Sequence, residues 1–365
     1  MIKGKKILLV GPLNAAGVGG RLEEMKVWAN ALILADCEVS VFSMFNANSY
    51  FGSIPVYESL DILTPFSPKS LLGKLALRIW GSKPFKRHRD NFYLSRKWES
   101  FSTRFDHIIL FITDSSRERL IFESSSQTSV LIRFTGTIFD FTNLKRDAGL
   151  ISLPYRKYVF HDPALLFGYS PAIPTHFVDQ TVIEEEKLLQ IPITSSLATF
   201  AMIGLFMEVK QVEEVILKFA QFPDLKLLIF GKGELESVYE KLIAQNKLSN
   251  VEIRGFYPSS QMEQMYSQFD ALIINSTEET GPMTGVEAMA AGKIILSKRI
   301  GAMAGRLADE QLLVDANNSL ENAIESLVKA EKDTIIEIRT RLRNRYIESY
   351  SNESISNKIA QVTLN

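Results

Sequence analysis

Continuous apolar runs recur along the chain, each followed by a glycine-containing or polar turn and then by apolar positions three and four residues apart. KKILLVG (5–11) is the first such run, as expected of a strand buried on both faces of a parallel sheet. A glycine-rich loop follows, then an amphipathic stretch from Arg21 to Ala35, then the strand-like EVSVFSM. HIILFIT (107–113), SVLIRFT (129–135) and KYVFH (157–161) read as further strands, and RERLIFES reads as a short helix between two of them. Strands alternating with helices form parallel βαβ units, whose right-handed crossovers cover both sheet faces.

From Ser170 to Ser195 the pattern loosens: Pro171, Pro174 and Pro192 bracket the charged run Glu184 to Lys187, which reads as an interdomain connection. The alternation then restarts. LATFAMIG (197–204), LKLLIFG (225–231), VEIRGF (251–256), ALIIN (271–275) and KIILS (293–297) are the strands of a second series. VEEVILKFAQF, ELESVYEKLIAQ and SSQMEQMYSQF carry the helical spacing between them, with Ser259 and Ser260 as N-cap candidates for the last. A charged helix from about Thr334 to Tyr350 and a polar tail close the chain.

At 365 residues the chain is long for one hydrophobic core. The expected architecture is α/β, with two tandem doubly wound Rossmann-like domains. The first spans 1–178 and the second 179–345, and the tail 346–365 returns to the first. With 46% hydrophobic and 23% charged residues the composition is ordinary for a globular protein. A formal net charge of −1 argues against a nucleic-acid partner. The single cysteine, Cys37, suits a reducing cytoplasm. The first residues are too short for a signal peptide, and no uncharged run reaches the roughly 20 residues of a spanning helix. A cytoplasmic protein, soluble or peripheral on the inner face of the membrane, is the expectation.

One segment breaks the charge balance. Between Ile62 and Trp98 lie Lys69, Lys74, Arg78, Lys83, Lys86, Arg87, Arg89, Arg96 and Lys97, opposed by Asp90 alone and interleaved with Trp80, Phe85, Phe92 and Tyr93. Residues 63–98 read either as an interfacial segment for an anionic membrane surface or as surface helices packed on the first domain.

Three loops carry candidate chemistry. GPLNAAGVGGRLEE (11–24) sets glycines between a strand and a helix, where backbone approaches phosphate, but Gly11, Gly17, Gly19 and Gly20 do not have the dinucleotide spacing. That spacing, with no ribose acid after the next strand, disfavours a dinucleotide oxidoreductase. LIFGKGELE places Gly231 and Gly233 around Lys232 after a strand, a turn that fits a nucleotide cleft but is equally common in α/β folds without one. STEETGPMTGVEAMAAG (276–292) is the most informative. It sits at the carboxyl end of ALIIN, with Glu279 before the Gly281-Pro282 turn and Glu287 in the helix from about Met283 to Ala291. On this reading the amides of Met283, Thr284 and Gly285 are free to hold a diphosphate, and Glu287 stands on the first full turn within reach of two ribose hydroxyls.

Glu279, Glu287 and the following AMAAG resemble the paired-glutamate motif of retaining GT-B glycosyltransferases of family 4. IGLFMEVKQVEEVI, LKLLIFGKGELESVYEKLI, NVEIRGFYPSSQMEQMYSQFDALIINS and AAGKIILSK are similar to that family in order and spacing, strongly over 195–305. The first domain is similar more loosely. The resemblance implies a cleft between two domains and transfer of a sugar from a nucleotide-sugar to an acceptor hydroxyl, with retention and without a metal or other cofactor. Glu287 would hold the ribose, Glu279 the donor sugar and Lys210 the diphosphate. The amides from Gly281 through Pro282 and Met283 to Thr284 would support the same phosphates, the stretch from Arg254 to Tyr257 would lie along the base, and Gly17, Gly19 and Gly20 would face the phosphates from the other domain. A glycan or lipid-linked acceptor, in bacterial cell-surface polysaccharide or glycoconjugate synthesis, follows from the same resemblance.

Two positions depart from the family. Leu205 stands where an arginine is usual, and Thr135 where the first domain usually has a histidine. Arg133, Lys298 or Arg299 are candidates to restore the charge, and His161 to replace the histidine, which makes Arg133, Thr135 and His161 the acceptor-side candidates. The same two losses also fit a degenerate protein that binds a nucleotide-sugar or a partner without turnover.

Overall fold

The computed structural model describes residues 4–11, 20–43, 51–58, 98, 100–112, 128–135, 156–166 and 174–364. The chain forms two compact units. One comprises Met1–Phe160, Gly168–Val178 and Ser356–Asn365, and the other comprises His161–Phe167 and Asp179–Ile355.

The first unit holds a parallel sheet of β1 (Lys6–Val10), β2 (Glu38–Ser43), β3 (Val56–Glu58), β4 (His107–Ile112), β5 (Ser129–Phe134), β6 (Arg156–Phe160) and β7 (Thr175–Phe177), in the order β3-β2-β1-β4-β5-β6-β7. Helix α1 (Gly20–Leu34) follows β1 and buries Met25, Trp28 and Leu32. Trp98, the one described residue of the basic segment, is buried edge-on against Phe42 and tilted on Phe101. The rest of 63–97 and the RERLIFES stretch lie outside the described residues.

In the second unit β8 (Thr199–Leu205), β9 (Lys226–Lys232), β10 (Val251–Gly255), β11 (Ala271–Ile274), β12 (Ile294–Lys298) and β13 (Leu313–Val314) form a second parallel sheet, ordered β10-β9-β8-β11-β12-β13. Its helices are α2 (Glu185–Leu189), α3 (Val212–Lys218), α4 (Glu236–Gln245), α5 (Met262–Tyr266), α6 (Met283–Ala290), α7 (Met303–Leu307), α8 (Leu320–Lys329) and α9 (Lys332–Ser349). The central strands are apolar on both faces because helices cover both. Leu227–Phe230, Ala271–Ile274 and Ile294–Leu296 are all buried, each leucine, isoleucine or phenylalanine among them contributing about 1.5–3 kcal/mol.

Both sheets reverse their strand order at the first strand, and at such a switch point the crossovers leave on opposite sides, opening a crevice at the strands' carboxyl ends. In the second unit the geometry is explicit. β8 pairs with β11 only at Phe200 and Ala201, whereas it stays paired with β9 through Leu205. The strands separate beyond Ala201, and a pocket opens between them.

Four readings of the sequence change. The 170–195 connection contains β7 and α2. Ser259–Gln261 form a 3-10 turn, and the α-helix begins at Met262 with Gln261, not a serine, at its N-cap. The polar tail is a helix, α10 (Asn352–Leu364), which buries Ile355, Ile359 and Val362; Lys157 donates to the carbonyl of Val362 at 3.2 Å. Gly231 and Gly233 serve packing. At φ +146° a Cβ on Gly231 would lie 1.8 Å from the Gly204 carbonyl oxygen, and one on Gly233 would lie 2.6 Å from that of Phe206.

Candidate functional site

The pocket at the switch point is lined by Gly204, Leu205 and Lys210 from β8 and its loop, and by Asn275, Ser276, Glu279 and Thr284 from the loop after β11 and the start of α6. The two loops are tied together: the amide of Thr277 donates to the Val209 carbonyl at 2.8 Å, and Asn275 Nδ2 donates to the Gln211 carbonyl at 3.2 Å and to Glu214 at 2.9 Å. Lys210 and Glu279, 69 positions apart, are thereby joined in an ion pair, with Ser276 donating to the same Glu279 oxygen at 3.0 Å. Gly204, at φ +154°, adjoins this lysine; a Cβ there would be in ordinary contact with it, 3.4 Å from Lys210 Cε. From the other side Gly301 presses on the Glu279–Thr280 backbone, and the Ala302 amide donates to the Thr280 carbonyl at 2.9 Å.

Helix α6 starts beside this pair at Pro282, whose extended backbone makes it the N-cap. Gly285 donates its amide to the Pro282 carbonyl at 3.0 Å, so it is not free to bind a ligand as the sequence suggested. The amides of Met283 and Thr284 have no acceptor among the described residues, and they carry the positive end of the helix dipole. Glu287 begins the second turn, not the first, and is 8% exposed. The Tyr266 hydroxyl donates to its Oε2 at 2.7 Å. Burial first, and the Glu287 carboxylate second, push the Tyr266 hydroxyl well above its ordinary pKa, so it remains a donor through neutral pH.

The other predicted residues fall in several places. Gly17 and Gly19 lie outside the described residues, and Gly20 begins α1. Arg254 is ion-paired with Glu252 at 3.0 Å; Tyr257 stacks edge-on against Phe230 and accepts from Gln268 at 3.2 Å. Between them Phe256 is exposed, with Lys232 Nζ 4.4 Å from its ring centroid. Leu205 is half exposed at the pocket's rim. Lys298 is paired with Glu214 at 3.3 Å and Arg299 with Glu310.

Among the acceptor-side candidates, Arg133 is fully buried in the first unit. Its Nε donates to Glu24 at 2.5 Å and its guanidinium lies 5.6 Å from the Trp28 ring centroid, so it offers no surface to a ligand in this conformation. Thr135 follows β5 in that unit. His161 belongs to the second unit and is buried beneath the turn; its Cδ2 lies 3.2 Å from where a Cβ on Gly281 would be. Sequence reasoning missed Ser276, Tyr266, Asp179 and Arg306, none of which stands in a recognisable spacing. Among the described residues there is no cluster of His, Cys, Asp and Glu suited to a metal, and no helix long and apolar enough to cross a membrane.

Residues 184–351, nearly all of the second unit, match the family described as Glycosyl transferases group 1. An uncharacterized glycosyltransferase of Methanocaldococcus jannaschii is 25% identical over 134 residues, 36% of this chain; the chain spans 38% of that relative's length. Among solved structures, sucrose-phosphate synthase from Thermosynechococcus elongatus superposes with a TM-score of 0.71 at 17% identity, covering 98% of each chain. HepE from Anabaena, solved with UDP and glucose, gives 0.71 at 15% identity over 98% of this chain and 99% of its own. This likeness gives the chain the GT-B fold, two parallel-strand sheets flanked by helices.

Proposed function

We propose that the chain, a glycosyltransferase by its second-unit domain, moves a sugar from a nucleoside-diphosphate donor to an acceptor hydroxyl with retention at the anomeric carbon, as a member of family 4. The observation that carries this reading is the Lys210–Glu279 pair lining the switch-point pocket together with Thr284 at the start of α6. The ammonium and the Met283 and Thr284 amides take the diphosphate. Glu279 turns from lysine to the hydroxyls of the donor sugar, and Glu287, held by Tyr266, takes the ribose. Arg254 to Tyr257 line the base. Support for a UDP-sugar comes from the UDP and glucose bound by the Anabaena protein.

The bond from the anomeric carbon to the β-phosphate oxygen breaks, and the acceptor hydroxyl attacks on the same face. Its proton passes to the departing phosphate oxygen. Catalysis is then mostly positioning and stabilisation of diphosphate charge, for which Lys210 and a helix N-terminus suffice without a strong base or a metal. A glycan or lipid-linked acceptor of the bacterial cell surface, reached from the inner face of the membrane through residues 63–98, completes the proposal on sequence grounds.

A second reading, binding without turnover, is favoured by Leu205, which cannot offer the planar donor fork of an arginine to a leaving diphosphate. One screen separates the two. Thermal shift in EDTA against UDP-, GDP- and dinucleotide ligands, followed by an assay of released nucleoside diphosphate, yields both stabilisation and release for the enzyme. Stabilisation with no release supports the binder, and a response to the dinucleotide alone overturns both.

A further inference from the structure

Arg306, on the five-residue helix α7, is fully buried, and its guanidinium joins two segments distant in sequence. Nε and Nη2 donate to the two carboxylate oxygens of Asp179 at 2.9 and 2.5 Å, and Nη2 donates to Gln180 Oε1 at 3.0 Å. Nη1 donates to the Pro282 carbonyl at 2.6 Å. The turn is shaped to admit this side chain. A Cβ on Gly281 would come within 2.8 Å of Nη2, and one on Gly285 within 2.7 Å of Met303 Sδ and 3.4 Å of Nη1. Gly281 therefore clears the space for the guanidinium, and Gly285 clears it for Met303, whose sulfur lies 3.8 Å from Nη1. Asp179 is where the chain leaves the first unit for the second. Burial disfavours its charge, but Arg306 more than offsets this and holds its carboxyl below the ordinary range.

In a trans peptide the carbonyl and the following N–H point in opposite directions. The Pro282 carbonyl, which also accepts the Gly285 amide at 3.0 Å, is drawn toward Arg306, and this turns the Met283 amide away from Arg306. We infer that Arg306 is a positioning residue of the donor site. It fixes the peptide plane that presents the first amides of α6 to the diphosphate, and it anchors that plane to Asp179. The inference rests on the reading of this turn as the diphosphate seat. A purely structural role would need only the Asp179 pair; the bond to Pro282 and the space cleared at Gly281 are what a positioning role adds.

Two variants test it. Arg306→Lys keeps a charge beside Asp179 but has no fork to reach Pro282 as well. Arg306→Met with Asp179→Asn removes both charges, so neither is stranded in the interior. For each variant that retains a cooperative thermal transition, isothermal titration is run with UDP, GDP, ADP and dTDP and with the matching nucleosides. The expected result is a loss of about tenfold or more in affinity for the diphosphate that the wild type binds, with nucleoside affinity unchanged, as befits loss of charge-assisted amide contacts. Diphosphate affinity equal to wild type in either variant, or equal loss for nucleoside and diphosphate, overturns the positioning role. A wild type that binds none of the diphosphates overturns the donor-site reading itself, and the inference with it.

Discussion

Glu287 is a carboxylate held in a nearly dry place by a tyrosine, and that arrangement makes it a fixed acceptor rather than a mobile surface acid. The Tyr266 hydroxyl bonds both Glu287 and, at 3.3 Å, the Thr284 carbonyl, so it braces the carboxylate against its own helix. Tyr266→Phe removes a hydrogen bond to a charged group, worth about 1.5–3 kcal/mol in a buried setting. The expected outcome is a donor affinity several-fold to a hundredfold weaker by titration, with kcat at saturation little changed. An unchanged affinity would detach Glu287 from donor binding. Glu279 and Glu287 were picked out in the sequence by their places around a glycine turn after a strand, and Lys210 by the family resemblance alone. Tyr266, Asp179 and Arg306 were not, because they reach the turn from other elements and no local spacing records a tertiary contact.

At the level of elements, long buried strands announced themselves. A parallel strand covered on both faces must be apolar at successive positions, and β1, β4, β9, β11 and β12 are. The three-residue β3 and β7 and the two-residue β13 are too short to show any period. Helix α10 hid behind its polar residues, with an inward face of Ile355, Ile359, Val362 and the polar Thr363. The junction from α6 to β12 carries a cost that pH exposes. Lys293 is 5% exposed there, and burial, followed by repulsion from Arg339, lowers its pKa to about 8. The unfolded chain returns it to about 10.4, so between those values the unfolded state binds more protons and stability rises with pH. Urea midpoints at pH 7 and pH 9.5 should show wild type gaining relative to Lys293→Met. The variant should be more stable at pH 7 by about 1–3 kcal/mol, with the difference closing as pH rises. A difference constant across this range would mean that the lysine stays protonated.

At the scale of the molecule, two sheets with the same order of their first six strands place two switch-point crevices in one chain, and the described chemistry lies in the second. The two-series architecture was readable because the strand–helix alternation stops and restarts around 170–195. Chain exchange between the units at 161–167 and 168–178 was not, since it depends on contacts rather than on local pattern. The central claim is that one nucleotide-sugar lies along the mouth of α6, with its sugar at Glu279 and its ribose at Glu287. Its most direct test is donor titration and transfer kinetics on Glu279→Ala and Glu287→Ala, side by side. The account predicts that Glu287→Ala weakens donor binding by about tenfold or more while keeping most of kcat, whereas Glu279→Ala binds the donor within a few-fold of wild type and loses on the order of 10²-fold in kcat. Equal and negligible effects from both would contradict it, leaving the two acids as ordinary charges near a helix start.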